Sequence, residues 1–316
     1  MQHFRSVNDV DNIQALLRKA MNAKAAPMKN SQLGKGKTIV LLFFNPSLRT
    51  RLSTQKAAQN LGMNVITMNA GQSWQLEFED GAVMNLDRAE HVKEAARVIS
   101  QYADILGIRT FPTLKDQERD YGEFVLNQFV KYATVPIVNL ESATLHPLQS
   151  LTDWLTIVEQ KKTAAPKVVL TWAPHPRPLP QAVANSLVEW LKKTDVELVI
   201  THPQGYELAP TFAEGCQIEF DQKKAFAGAD FIYAKNWSSY FNYGNKPEVE
   251  LDWRITSEKM ALTNSAKFMH CLPVRRNVVV EDAVIDSPNS LVIQQAANRE
   301  FAAQAVLESL LKNENL

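Results

Sequence analysis

"KTIVLLFFNPSLRTRLSTQKAAQNLGMNVITM", Lys37 to Met68, decides the fold class. Its first eight residues form a short apolar run, which predicts a buried strand. "STQKAAQNLG" is a helical pattern that ends in Gly62, a helix-closing residue, and "MNVITM" is again a strand. Strand, helix and strand in succession imply parallel pairing under a covering helix. Between the first strand and the helix, Ser47, Arg49, Thr50 and Arg51 arrive within five residues. A turn after a parallel strand that feeds a helix offers backbone N–H groups and the positive end of the macrodipole. The hydroxyls of Ser47 and Thr50 add donors, and Arg49 has the fork to hold two oxygens of a phosphate. A serine N-cap followed by solvated arginines is the plainer alternative.

The alternation continues outward from this stretch. "VDNIQALLRKAMNAKAA" before it is an amphipathic helix; after it come the helix "AEHVKEAARVISQY" and the strands "ADILGIR" and "VPIVNL". "HPLQSLTDWLTIVEQ" reads as a helix and "KTAAPK" (162–167) as a linker. The pattern then restarts with strand "VVLTWA", helix "AVANSLVEWLKK", strand "VELVITH", helix "DQKKAFAGA" and strands "DFIYAK" and "KFMHCLP". The helix "NREFAAQAVLESLLKN" closes the chain and is long enough to reach back. The expected fold is α/β: two similar-sized domains, each a mainly parallel sheet covered by helices, with the active-site cleft between them at strand C-termini. Residues 1–145 form the first domain, 146–297 the second, and the helix of about 298–316 packs back onto the first.

The chain has 316 residues, 34 basic and 34 acidic. Zero formal charge argues against a surface built for nucleic acid or membrane, so an anion site must be local. The N-terminus has no apolar leader, and the longest apolar run, "IVLLFF", is far too short to span a bilayer. Two cysteines, Cys216 and Cys271, make no disulfide framework, which fits a cytoplasmic protein. "GKGKT" (Gly34–Thr38) is not a phosphate loop: Ser31 stands where its first glycine belongs, and it precedes its strand. No GxGxxG occurs, which removes the support for a dinucleotide-binding dehydrogenase.

Three more clusters sit at strand exits. Arg109 ends "ADILGIR"; His146, Pro147, Leu148 and Gln149 stand together with Glu141 upstream; His270, Cys271, Leu272, Arg275 and Arg276 follow "KFM". With "PSLRTRLST", the ordered motifs "HPLQ" and "FMHCLP" make the chain resemble the aspartate/ornithine carbamoyltransferases along nearly its full length. The resemblance implies a homotrimer with sites shared between subunits, and no metal or organic cofactor. It implies that carbamoyl phosphate is contacted by Ser47, Leu48, Arg49, Thr50, Trp74, Arg109, His146, Pro147, Leu148, Gln149, Cys271, Leu272 and Arg299. Of these, Arg49, Arg109, His146, Gln149 and Cys271 are the catalytic set. Arg109 and His146 address the carbonyl oxygen and phosphate, while Gln149 and the carbonyls of Cys271 and Leu272 hold the carbamoyl NH₂. A catalytically silent regulatory paralogue is the alternative; such proteins usually lose a motif residue, and none of Arg49, His146, Gln149 or Cys271 is missing.

"HCLP" disfavours aspartate as the amine. Ornithine-type members usually place an acid where "YAKNWSSYFNYG" has Lys235, and a lysine repels a free α-ammonium. An N-acylated ornithine removes that conflict, and "TWAPHPRPLP" resembles the signature of the N-acetylornithine/N-succinylornithine branch. In that branch Glu141, His175, Lys235 and Arg275 line the acylornithine site, and Trp74, in a loop that reads as exposed, reaches a neighbouring subunit. Ala89 stands where acetylornithine members carry a glutamate facing the acyl group. With Lys235, Arg275 and Arg177 keeping the pocket positive, this favours N-succinyl-L-ornithine over N-acetyl-L-ornithine. Val279 stands where the acetyl branch often has a carboxylated lysine. A shift of one residue would put Glu90 in the role of Ala89 and reverse the choice.

Overall fold

The computed structural model describes residues 1–70, 74–245 and 251–314. The chain divides into two compact units: Met1–Leu148 with Arg299–Leu316, and Gln149–Asn298. In the first unit the elements are α1 (Ile13–Ala25), β1 (Thr38–Phe43), α2 (Arg49–Asn60), β2 (Asn64–Asn69), β3 (Leu76–Glu77), β4 (Glu90–His91), α3 (Val92–Tyr102), β5 (Ile105–Arg109), α4 (Gln117–Tyr121), α5 (Phe124–Tyr132) and β6 (Ile137–Glu141). α6 (Pro147–Gln160) begins at the end of this segment. The second unit holds β7 (Lys167–Trp172), α7 (Ala182–Leu191), β8 (Glu197–Thr201), α8 (Pro210–Ala213), β9 (Gln217–Glu219), α9 (Gln222–Phe226), β10 (Phe231–Lys235), α10 (Ser257–Met260), β11 (Lys267–Met269) and α11 (Asp282–Ile285). α12 (Val292–Leu311) returns the chain to the first unit from Arg299 onward.

All pairings in the two main sheets are parallel, in the orders β2-β1-β5-β6 and β11-β10-β7-β8-β9. The central strands are buried along almost their whole length, which is why "TIVLLF" and "FIYAK" read as continuous rather than alternating runs. Val40, Leu42, Leu106, Ile108 and Phe129 lie in the core of the first unit; Val169, Ile232, Phe226 and Phe268 lie in that of the second.

α2 closes in a Schellman turn. Gly62 N–H bonds the Gln59 carbonyl at 3.0 Å and Met63 N–H the Ala58 carbonyl at 3.0 Å. Gly62 has φ +83°, and a Cβ there would stand 2.1 Å from the Ser31 carbonyl oxygen, so only glycine fits. Two boundaries differ from the sequence expectation. α2 begins at Arg49 and α12 at Val292, each several residues earlier than their apolar patterns. The chain divides within α6, and 162–167, read as a linker, joins α6 to β7 inside the second unit.

Candidate active site

In the first unit the chain leaves β1 for β2 on one side and later fills β5 on the other. A crevice opens outside the carboxyl ends of strands at such a reversal. The loop after β1 and the last residue of β5, Arg109, both stand at this point. The N-cap of α2 is Leu48, not Ser47, and no side chain caps the helix. The first turn of α2 therefore presents its N–H groups and positive dipole end beside Ser47 and Arg49. Thr50, buried, accepts a hydrogen bond from Arg299 Nη2 at 2.7 Å and one from Arg109 Nη1 at 3.4 Å. Arg109 also pairs with the Glu141 carboxylate, whose Oε2 lies 3.7 Å from His146 Nε2. Thus α2, β5, β6, the turn just before α6 and α12 each deliver one polar side chain to a single buried cluster. Two guanidiniums out of water favour an anion in contact with them.

Arg51 points elsewhere. Its guanidinium lies 4.9 Å from the centre of the Phe43 ring and bonds Asn69 Oδ1, lining a hollow of about 430 Å³ with Asn45 and Leu48. It braces the loop against β2. Behind His146, Glu123 holds the 142–145 turn: its carboxylate accepts from Ser142 Oγ at 2.7 Å, Thr144 N–H at 2.8 Å and Ala143 N–H at 3.3 Å. Burial pushes the Glu123 carboxyl upward, against these hydrogen bonds. Glu123 also sits at φ 50°, in the left-handed region that a branched or long side chain rarely adopts.

In the second unit the chain leaves β7 for β8 and later fills β10 on the opposite side, so β7 and β10 mark its reversal. Trp172, at the end of β7, is a scaffold residue. Its Nε1 donates to the Trp237 carbonyl at 2.9 Å, and its ring packs on Tyr206 and Trp253. His175 follows it, with Arg275 Nε donating to His175 Nε2 at 3.2 Å and His175 Nδ1 3.0 Å from the Arg177 carbonyl. Nδ1 also lies 3.1 Å from the Arg177 N–H, so its role as donor or acceptor follows the tautomer. Burial lowers the His175 pKa, and Lys235, Arg275 and Arg177 lower it further, so the ring is neutral near pH 7. Lys235, buried at the end of β10, donates to the Asn236 carbonyl at 2.6 Å, and Asn236 Nδ2 ties that exit to Ala173 at 2.7 Å. Arg177, Lys235 and Arg275 therefore form one positive group around the neutral His175 ring. Past β11, Leu272 has φ 54° and its N–H bonds His270 Nδ1 at 2.9 Å. Gln149 Nε2 donates to buried Asp153 at 2.7 Å. Val279 lies in the apolar core, where a carboxylated lysine has no counterpart.

Trp74 is half-buried against the apolar face of α3, unlike the exposed position expected from its surroundings; Gly71, Gln72 and Ser73 lie outside the described residues. Its Nε1 donates to Glu90 Oε2 at 2.9 Å, and both line a cavity of about 300 Å³ with Val40, Met68 and Ile99. β3 pairs with β4, Leu76 opposite Glu90, and Ala89 N–H bonds the Gln75 carbonyl at 3.0 Å. Ala89 itself is exposed. Trp74 and Ala89 thus flank the small β3–β4 sheet, and Trp74 is tied to it through Glu90.

Reasoning from motifs missed Asp153, Glu123 and the Glu141–Arg109 pair. Asp153 had a signal: a glutamine and an aspartate four apart on one helix face. Glu123 had none, because it meets its turn only through the tertiary fold.

Residues 2–159 match the family model of the aspartate/ornithine carbamoyltransferase carbamoyl-P binding domain, and residues 180–310 that of the Asp/Orn binding domain. An N-succinylornithine carbamoyltransferase of Bacteroides fragilis is 53% identical over 316 residues, 99% of each chain. An N-acetylornithine carbamoyltransferase of Xanthomonas campestris pv. campestris is 38% identical over 336 aligned positions, covering 98% of each. Among solved structures, a glutamate-to-alanine variant of N-acetyl-L-ornithine transcarbamylase, complexed with carbamyl phosphate and N-succinyl-L-norvaline, superposes with TM-score 0.92. It is 37% identical and covers 98% of this chain and 100% of its own. Acetylornithine transcarbamylase complexed with acetylcitrulline gives the same TM-score at 36% identity, covering 98% of this chain and 99% of its own. The parallel two-unit fold, the three ordered motifs and this full-length similarity place the chain in the aspartate/ornithine carbamoyltransferase family, in its N-succinylornithine/N-acetylornithine branch.

Proposed function

We propose that the chain transfers the carbamoyl group of carbamoyl phosphate to the δ-amine of N-succinyl-L-ornithine, releasing N-succinyl-L-citrulline and phosphate, in arginine biosynthesis in the cytoplasm. The δ-nitrogen lone pair forms the new C–N bond, the C–O bond to phosphate breaks, and the nitrogen gives up a proton. Ser47, Leu48, Arg49, Thr50 and Arg299 hold the leaving phosphate. Arg109 and His146 polarise the carbonyl oxygen, and Gln149, Cys271 and Leu272 hold the carbamoyl NH₂. Stabilising the developing phosphate charge and fixing both reactants in line supply the catalysis.

The acyl assignment rests on Glu90. Its carboxylate is engaged by Trp74 Nε1 at 2.9 Å, whereas its exposed neighbour Ala89 leaves space and no negative charge. This supports Ala89, not Glu90, as the residue facing the acyl group. Relatives agree in direction: in four solved structures of the acetylornithine enzyme a glutamate is replaced by Ala, Pro, Val or Ser, and the ligand is N-succinyl-L-norvaline. The positive group of Arg177, Lys235 and Arg275 suits a substrate with two carboxylates, and the neutral His175 among them can donate a hydrogen bond. Because Trp74 and Ala89 flank one small sheet, β3–β4, both serve the same site; in the proposed homotrimer that is the neighbouring subunit's.

Ala89→Glu tests this. Like-charge repulsion near 4 Å at an effective dielectric of about 20 is at most a few kcal/mol before screening. The variant loses one to two orders of magnitude in kcat/KM for succinylornithine and none for acetylornithine. If the unaltered protein already prefers N-acetyl-L-ornithine, that alternative is correct and Ala89 does not read the acyl group.

A further inference from the structure

Asp153 is wholly buried on α6, in the second unit. Its Oδ1 takes two amide donors, Gln149 Nε2 at 2.7 Å from one turn earlier and Gln295 Nε2 at 2.6 Å from α12. Tyr233 on β10 borders both Asp153 and Cys271; burial first, then these two neighbours, hold its phenol protonated. Removing a carboxylate from water is costly, so its partners are under strong constraint to donate.

A carboxylate only accepts, whereas a glutamine amide has one donating and one accepting end. Asp153 therefore compels both glutamines to turn their NH₂ groups toward it and their Oε1 atoms away. For Gln295 the consequence is visible: its Oε1 accepts the His270 N–H at 3.0 Å, next to Cys271. For Gln149 the same constraint turns Oε1 away from Asp153, the orientation that accepting from an NH₂ group requires. The carbamoyl NH₂, by the function proposed above on which this inference rests, is a donor. Its other readers, the carbonyls of Cys271 and Leu272, follow the residue that Gln295 anchors.

We propose that Asp153 is a positioning residue that sets the polarity of carbamoyl-NH₂ recognition, by orienting the Gln149 amide directly and the 270–272 backbone through Gln295. Asp153 does not touch the substrate. It makes the site selective for an acyl phosphate that carries hydrogen-bond donors on its carbonyl carbon.

Asp153→Asn keeps the shape but supplies an amide that both donates and accepts, so either orientation of Gln149 is satisfied. The test compares three ligands by inhibition and calorimetry: carbamoyl phosphate, acetyl phosphate, which has methyl in place of NH₂, and inorganic phosphate. The unaltered protein prefers carbamoyl to acetyl phosphate. In Asp153→Asn that preference falls about tenfold, the loss of one well-made hydrogen bond, with inorganic phosphate binding unchanged. Equal losses for all three ligands, or a retained preference, would overturn the proposal. If Asp153→Asn is not soluble, Gln295→Met reads the relay from its other end and lowers the same preference; an unchanged preference there overturns it too. An unaltered protein that does not distinguish carbamoyl from acetyl phosphate would instead refute the carbamoyl-phosphate reading, and this inference with it.

Discussion

Arg49 and Arg51 stand two positions apart on α2, and their surroundings give them different work. Arg51 is spent on the ring of Phe43 and on Asn69, while Arg49 begins an uncapped helix whose next residue, Thr50, meets buried Arg109 and Arg299. Arg49→Lys keeps one charge but removes the fork. Loss of one charge-assisted contact to the transition state costs roughly 2–4 kcal/mol, or about 10² to 10³ in kcat. Steady-state turnover of carbamoyl phosphate checks this, and a near-normal rate returns the arginine to a merely structural role. Side-chain types at strand exits were legible in the sequence at this scale, because motifs record chemistry. Their partners were not: nothing local in "VNLESATLH" says that Glu141 meets Arg109 or that the 142–145 turn hangs from Glu123, since both meetings are made by the sheet.

Elements were legible where hydrophobic period and capping agreed. β1, α2 and β2 followed from an apolar run, a helical pattern and a glycine that its positive φ and the nearby Ser31 carbonyl both require. β3 and β4 were not, because two-residue strands have no period to read. Glu123 at the start of α5 gives a test at this scale. Glu123→Gln keeps the size but loses acceptor capacity for buried donors of the 142–145 turn, which costs about 1–3 kcal/mol. Expected results are a lower urea midpoint and faster amide exchange across residues 142–146; unchanged exchange would separate Glu123 from that turn. A pH dependence follows from His3, His175 and His202, whose pKa values burial lowers in every case. Below about pH 6.5 the unfolded chain binds protons at these sites that the folded chain refuses, so stability falls on acidification and rises again with pH. Glu123, raised by burial, acts in the opposite sense, so the histidine share is isolated by substitution. His202→Asn flattens the change in urea midpoint between pH 7.5 and 5.5, and an unaltered slope would exclude His202 from it.

At the scale of the whole molecule, the succession of strands and helices was enough to anticipate two parallel α/β units, because parallel strands need covering crossovers and each unit supplies its own core. The expected division at 145/146 stands three residues from the observed one, between Leu148 and Gln149 inside continuous α6. The proposed shared site makes a prediction about assemblies. Arg49→Ala and Trp74→Ala proteins are each nearly inactive, and refolding them together restores part of the activity, since some mixed sites hold both residues intact. No recovery in trimers shown to have mixed would assign Trp74 to its own chain, and a monomeric mass in solution would remove the shared site altogether. The central claim is the identity of the amine, and the most direct measurement is the carbamoylated product formed from carbamoyl phosphate with L-ornithine, N-acetyl-L-ornithine and N-succinyl-L-ornithine under identical conditions. In the proposed reading, Lys235, buried at the end of β10, opposes a free α-ammonium, and exposed Ala89 leaves room for a second carboxylate. The account predicts N-succinyl-L-citrulline as the main product, N-acetyl-L-citrulline at least about tenfold slower, and no appreciable citrulline; a faster reaction with N-acetyl-L-ornithine or with free ornithine would contradict it.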